Sequence, residues 1–207
     1  MKKRTPPPKK NIIADLVACK AAFAAVRIPW VLVDGLVLGY LRHRDVTPGD
    51  TDLDFAVCKE LSPSEWQLLF SSLRGFGFRF KNLQTDFVYG GRTVKFNFWM
   101  YHKKGSFYEV FPKSTPGVKF VEKAKWYDKI QLVNFLGDFY PVPTHIEDYV
   151  ACRYGADWKE VSYTHHDWRK EKYGTYGAGF ERDVWLKSRC GPKGDLWPRI
   201  MKVGDKA

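Results

Sequence analysis

The chain has 207 residues, 44% hydrophobic and 16% aromatic, which supplies enough apolar surface for one sizeable core and excludes disorder of the whole chain. Lysine and arginine number 34 against 23 acids, and the resulting charge of +11 favours an anionic partner: nucleotide phosphates, a phosphorylated glycan, nucleic acid or an acidic membrane surface. Four scattered cysteines without a C-x-x-C pair argue against a zinc ribbon, and no run of about 18 apolar residues offers a transmembrane span.

Residues 1–10, basic and proline-rich, read as a flexible arm without the apolar core of a signal peptide, so a cytoplasmic setting is expected. From Asn11 to Arg27, Ile12, Leu16, Cys19, Phe23 and Val26 recur at spacings of three and four. That is an amphipathic helix, with Asn11 as N-cap and Pro29 after its end. Trp30 to Val33 reads as a buried strand. Gly35 breaks it, and Leu36, Leu38, Gly39 and Leu41 suggest a short helix ending in Arg42, His43 and Arg44. The turn Thr47-Pro48-Gly49-Asp50 leads into a strand, Asp52 to Val57. Ser62, Pro63 and Glu65 form a capping box that opens a helix closing at Gly75, with Trp66, Leu69, Phe70 and Leu73 as its core stripe.

Phe76 to Tyr101 reads as strands, with a hairpin turn near Gly90-Gly91. On the second hairpin strand Val94, Phe96, Phe98 and Met100 share one face, and Lys95, Asn97 and Trp99 the other. Phe107 to Phe111 is a further short strand, and a second hairpin spans Lys129 to Pro143. Thr144 and Glu147 suggest another capping box, opening a helix through Tyr154 in which Arg153 either reaches a phosphate or lies on the surface. Residues 11–160 are therefore expected to form one mixed-sheet α+β domain, with residues 161–207 an extension packed on it. In that extension the mixed aromatic and basic residues read either as anchors of a tail wrapping the domain or as a surface that stacks on bases or sugars and holds phosphates, and His165-His166 lacks the partner spacing of a metal site.

The chemistry concentrates in Asp52-Leu53-Asp54. Residues two apart on a strand share a face, so both carboxylates point one way while Leu53 and Phe55 pack. At about 5 Å, two such charges repel by roughly 3 kcal/mol at an effective dielectric near 20. Good solvation or an intervening cation offsets that cost. A hard ion such as Mg²⁺ takes one or two carboxylates plus substrate phosphates. Gly35, at a strand-to-helix corner, lets a phosphate approach backbone N–H groups, and Arg42 and Arg44 lie close enough in sequence to neutralise further charge. Lys95 either meets a phosphate or is simply exposed.

The order Gly35, Gly39, Arg42, Pro48, Asp50, Asp52, Asp54 resembles the signature of the LicD and fukutin family. A second match lies at Phe135-Leu136-Gly137, Val142-Pro143 and Tyr154-Gly155-Ala156-Asp157-Trp158. The resemblance implies a nucleotidyltransferase-like fold. It also implies transfer of a phosphoalcohol, phosphocholine- or ribitol-phosphate-like, from a nucleotide-activated donor of the CDP-alcohol type to a glycan hydroxyl. On that reading Asp52 and Asp54 hold Mg²⁺ or Mn²⁺. Asp50 is a third catalytic carboxylate, and Gly35, Gly39, Arg42, Lys95 and Asn97 contact the donor. Two departures stand out. Leu36 replaces the usual hydroxyl residue after the first glycine, and Asn97 stands where a third carboxylate is expected, with Glu109 as fallback. Those departures keep open a catalytically impaired nucleotide- or glycan-binding module, or nucleotidyl transfer to another acceptor. Nucleic acid is the less favoured partner, because the basic residues form no single stripe.

Overall fold

The computed structural model describes residues 6–83, 87–110, 118–154, 158–159 and 199–202. Helix α1 (Lys9–Val26) starts before the expected Asn11, because the Pro8 carbonyl accepts the N–H groups of Asn11 and Ile12. It ends at Arg27, whose φ of 55° turns the chain into β1 (Trp30–Leu32). Then follow α2 (Asp34–His43), β2 (Asp52–Val57) and α3 (Pro63–Gly75). The expected capping box of α3 is formed in full: Glu65 N–H donates to Ser62 Oγ, and Ser62 N–H donates to the Glu65 carboxylate. Strands β3 (Arg79–Leu83), β4 (Phe87–Gly91) and β5 (Lys95–Met100) complete the main sheet.

That sheet has the order β1-β2-β5-β4-β3. β2 and β5 run parallel, with Asp52 opposite Lys95 and Asp54 opposite Asn97, and the remaining pairs are antiparallel. Alternation decides the two faces. Leu53, Phe55, Phe96 and Phe98 are buried on one side, where Phe55 stacks on Phe98 at 5.1 Å and Phe23 of α1 meets Phe98 at 5.5 Å. Helix α3 closes that layer through Leu69, Leu73 and Phe70, whose ring meets Phe80 at 4.9 Å. Asp52, Asp54, Lys95 and Asn97 occupy the opposite face and stay partly or fully exposed.

A second sheet, β11-β8-β7-β6, is built from β6 (His102–Lys104), β7 (Phe107–Val110), β8 (Val118–Lys123) and β11 (Arg199–Lys202). A 3-10 turn at Ala124–Trp126 leads to the hairpin β9 (Ile130–Phe135) and β10 (Asp138–Pro143), reversed at Leu136 and Gly137, both at positive φ. Helix α4 (Ile146–Tyr154) follows. Thr144 does not cap it as expected. Its hydroxyl donates to the Lys125 and Trp126 carbonyls, at 2.8 and 3.3 Å, and ties the helix entry to the 3-10 turn. Among the described residues no helix is long and apolar enough to cross a membrane. The expectations for residues 1–5 and 161–198, including His165-His166, lie outside the described residues.

Candidate active site

The polar face of β2 carries the candidate site. Asn97 Nδ2 donates to Asp52 Oδ2 at 3.0 Å and to Asp54 Oδ1 at 2.9 Å. One amide nitrogen reaches both acids only if the two carboxylates converge, as the two-residue period of a strand requires. The strand register puts Asn97 there: it is the residue of β5 opposite Asp54. Lys95 lies on the same face, exposed and opposite Asp52.

The glycine corner adjoins this face. Val33 N–H donates to the Asp54 carbonyl at 3.1 Å, so the strand end before α2 is stitched to β2 at the site. Asp50 leans over the corner, where a Cβ on Gly35 would run into its Oδ2 and lie 3.3 Å from its Cγ. The other Asp50 oxygen accepts Thr51 N–H at 2.8 Å and Asp52 N–H at 3.5 Å. Thr47 Oγ1 donates to the Gly35 carbonyl at 3.1 Å and closes the turn onto the corner. The bare backbone cradle expected at Gly35 is thus lined by carboxylate, which repels a phosphate unless a cation lies between.

Asp34, which sequence reasoning passed over, is the most constrained residue at the corner. Its φ is 49°, a left-handed conformation uncommon for a residue with a side chain. Tyr149 of α4 holds it twice: the hydroxyl accepts Asp34 N–H at 3.1 Å and donates to Asp34 Oδ1 at 3.0 Å. Arg153 pairs with the same carboxylate at 2.5 Å and with the fully buried Glu122 at 3.0 Å. Tyr127 donates to Glu122 as well. Arg153 is therefore neither a phosphate contact nor a surface residue; it is a buried cation shared by two acids. The signal in the sequence was a lone acid between an apolar strand and a glycine.

Burial, and then the charges of Asp52, Asp34 and Asp50, push the Asp54 carboxyl well above its usual range, while the Asn97 hydrogen bond works in the opposite direction. Asp52 and Asp54 thus converge on one amide, with Asp50 near enough to raise the Asp54 carboxyl, Lys95 on the same face, and Asp34 paired with Arg153. A divalent cation fits this donor set, because hard ions prefer carboxylate oxygen and need only one or two from protein when phosphates supply others. Among the described residues no three His, Cys, Asp or Glu side chains form a metal-ligand group, so any cation relies on nucleotide or water for the rest of its shell.

Several expected contacts fall elsewhere. Gly39 is buried against backbone: a Cβ there would lie 2.7 Å from Thr47 N and 3.0 Å from Val46 C. It is a close-approach glycine between α2 and the turn. The Arg42 guanidinium donates to the Trp158 carbonyl, and Arg44 lies 4.4 Å from the centre of the Tyr40 ring. Leu36 is 1% exposed, so the position of the family hydroxyl is given to the core. Glu109 belongs to the second sheet, opposite His102 and Val121, and does not border β5. Asn97 remains the occupant of the third acidic position.

Two solved structures are similar to parts of this chain. The solution structure of the antibiotic-resistance factor ANT(2'')-Ia aligns with 11% identity and a TM-score of 0.49, covering 71% of each chain. The crystal structure of ANT(2'')-Ia in complex with adenylyl-2''-tobramycin aligns with 13% identity and a TM-score of 0.43, covering 68% of this chain and 76% of that one. No curated protein matches the chain. The family model "LicD/FKTN/FKRP, nucleotidyltransferase domain" matches residues 27–145, which hold the glycine corner, the Asp pair, Asn97 and the β9–β10 hairpin. With more than half its length matched, and with the two acids beside the glycine corner, the chain belongs to the LicD/FKTN/FKRP nucleotidyltransferase-domain family.

Proposed function

We propose that the chain is a metal-dependent transferase moving a phosphoalcohol group, phosphocholine- or ribitol-phosphate-like, from a CDP-alcohol-type donor to a glycan hydroxyl. The observation that carries this reading is the convergence of Asp52 and Asp54 on one point, marked by Asn97 Nδ2 within 3.0 Å of both. Asp52 and Asp54 hold Mg²⁺ or Mn²⁺. When bound there, such an ion neutralises phosphate charge and orients the phosphoryl group for in-line attack. Lys95, on the same face, meets the donor phosphates.

The acceptor hydroxyl oxygen forms the new P–O bond. The bond from phosphorus to the oxygen of the nucleotide phosphate breaks, its electron pair leaves with the nucleoside monophosphate, and the hydroxyl proton passes to Asp50. Asp50 suits that task because the Thr51 and Asp52 N–H groups fix its carboxylate at the corner. The test is Asp52→Asn and Asp54→Asn, assayed by release of CMP from CDP-choline and CDP-ribitol with Mg²⁺ or Mn²⁺. Each variant is expected to lose about 10³-fold in turnover with its melting temperature preserved. Near-normal turnover in both ends the proposal.

Asn97 also favours a second reading, a catalytically impaired module that binds nucleotide without turning it over, because an amide supplies no negative charge. Calorimetry with CDP, with and without Mg²⁺, supports that reading if binding is metal-dependent while CMP release is absent from the unmodified chain.

A further inference from the structure

We infer that Asn97 acts as a built-in occupant of the cation position, so that the divalent ion loads only together with the nucleotide that carries it. The inference rests on the transferase reading above and concerns how that site is filled. An amide NH₂ group has two protons, and the two nearest acceptors are Asp52 Oδ2 at 3.0 Å and Asp54 Oδ1 at 2.9 Å. Both bonds run to carboxylates, the stronger class of acceptor. The Asn97 nitrogen therefore stands between the two oxygens that a shared cation would bind.

A cation coordinated by both carboxylates needs oxygens at about 2.0–2.1 Å from its centre, well inside the distances the amide keeps. The amide and the ion compete for one place. For the ion to enter, both N–H bonds must break, and Asn97 must turn away or present its carbonyl oxygen. A carboxylate at this position would instead add attraction for the ion and offer no competing donor. Free Mg²⁺ also sheds its own water reluctantly, so two carboxylates already occupied by an amide are a weak trap for it. An ion already seated on a diphosphate brings several oxygen ligands with it. It gains from Asp52 and Asp54 while the phosphates gain from Lys95, which lies two residues before Asn97 on the same face of β5.

The position of Asn97 in the fold makes the competition hard to avoid. It lies on β5, which is paired on both sides, with Asp54 of β2 opposite it and Tyr89 of β4 on the other side. Its backbone cannot withdraw without breaking the sheet. Only rotation of the side chain clears the site.

Binding of Mn²⁺, followed by electron paramagnetic resonance and calorimetry, tests this without any turnover. The unmodified chain is expected to bind Mn²⁺ alone weakly and to tighten by at least about tenfold when CDP is added, the gain reflecting added oxygen ligands. Asn97→Asp should bind Mn²⁺ alone at least about tenfold more tightly than the unmodified chain, with the CDP effect shrunk, because a charge replaces the competing donor. Asn97→Ala removes the donor without adding charge, and Mn²⁺ alone should again bind more tightly than in the unmodified chain. If Asn97→Ala weakens Mn²⁺ binding, Asn97 is a ligand and not a competitor, and the inference falls. It falls equally if the unmodified chain binds Mn²⁺ alone as tightly as Asn97→Asp. A different result, no Mn²⁺ binding by any of the three proteins with or without CDP, rejects the metal-dependent transferase reading itself.

Discussion

Replacing Arg153 by Met keeps most of the side-chain volume and removes the cation shared by Asp34 and Glu122. Both acids are at most 8% exposed, and Arg153 is 7% exposed, so little water is present to take over. With charge centres near 4 Å and an effective dielectric near 20, each attraction is worth about 4 kcal/mol before desolvation is counted. Loss of one partner from such a buried pair costs about 3–5 kcal/mol net, because the remaining charge stays buried and uncompensated. Two acids lose their partner here, but Glu122 has an escape. Burial already pushes its carboxyl above the ordinary value of 4.5, with Arg153 opposing that rise, so without Arg153 it takes up a proton more readily. The expected loss therefore stays near one uncompensated charge, about 3–5 kcal/mol, or roughly 10 °C in melting temperature for a domain of this size.

The pH dependence follows from the sign of the Glu122 shift. Its folded-state value lies above its unfolded value, so the folded protein holds the extra proton more tightly. Any penalty for ionising Glu122 is absent below the unfolded value and is fully in force once pH passes the folded one. Removing Arg153 raises that folded value further. Arg153→Met should therefore lose more stability relative to the unmodified chain at pH 8 than at pH 5. Urea denaturation at both pH values measures this. A deficit below about 1 kcal/mol at pH 8, or one equal at the two pH values, would refute the buried-pair argument. A variant of unchanged stability that had lost nucleotide affinity would show instead that the arginine serves the ligand.

Gly35→Ala and Gly39→Ala should separate function from folding. At Gly35 the new methyl meets the Asp50 carboxylate, which must strain its bonds to the Thr51 and Asp52 N–H groups to make room, so stability in thermal melts should fall by about 1 kcal/mol while turnover falls further. At Gly39 the obstacle is the backbone of residues 45–47, and the same methyl should cost about 2–3 kcal/mol. Asp15→Ala leaves the N–H groups of Thr93 and Val94, at 2.9 and 2.7 Å, and the Arg92 guanidinium without their acceptor, and should lower stability by about 3 kcal/mol in chemical denaturation. Ser62→Ala, which removes the acceptor for Glu65 N–H at an exposed helix start, should cost only about 1 kcal/mol by the same measurement.

Features written in local chemistry were legible in the sequence. Ser62, Pro63 and Glu65 start a helix by bonds made within four residues, so the motif is sufficient. The alternation in Val94 to Met100 fixed which face of β5 meets the core, and with it the side on which Asn97 lies. The Asp52–Asp54 pair was visible for the same reason, since strand period alone aligns the two acids. What escaped was settled by distant partners. Asp34 finds Tyr149 across 115 residues, and Asp15 finds Val94 across 79. A charge in an apolar stretch announces that it needs a partner without saying which. Thr144 and Glu147 have the spacing of a capping box, yet the Lys125 and Trp126 carbonyls claim the hydroxyl because the fold brings them closer. Gly39 has the spacing of a ligand-binding glycine, and spacing cannot tell a phosphate from the protein's own backbone.

The charge of the whole chain and the charge of the site have opposite signs, and that contrast bears on what enters. Residues Lys9, Lys20 and Arg92 each neutralise an acid away from the Asp52–Asp54 pair, namely Asp45, Asp138 and Asp15, while Arg153 neutralises Asp34 at the corner itself. A chain of +11 raises the local concentration of nucleotide anions around the molecule. Within about one Debye length, roughly 8 Å at physiological salt, Asp50, Asp52 and Asp54 outnumber Lys95 on this face and weaken its hold on a bare anion. A free cation meets the reverse order, repelled at long range and attracted close in, where the Asn97 amide already spans the two carboxylates. The species that both fields accept is an anionic complex carrying its own divalent ion. A neutral amide at the third acidic position is then compatible with activity, because the missing negative charge lowers affinity for the ion alone more than for the ion already held by phosphate.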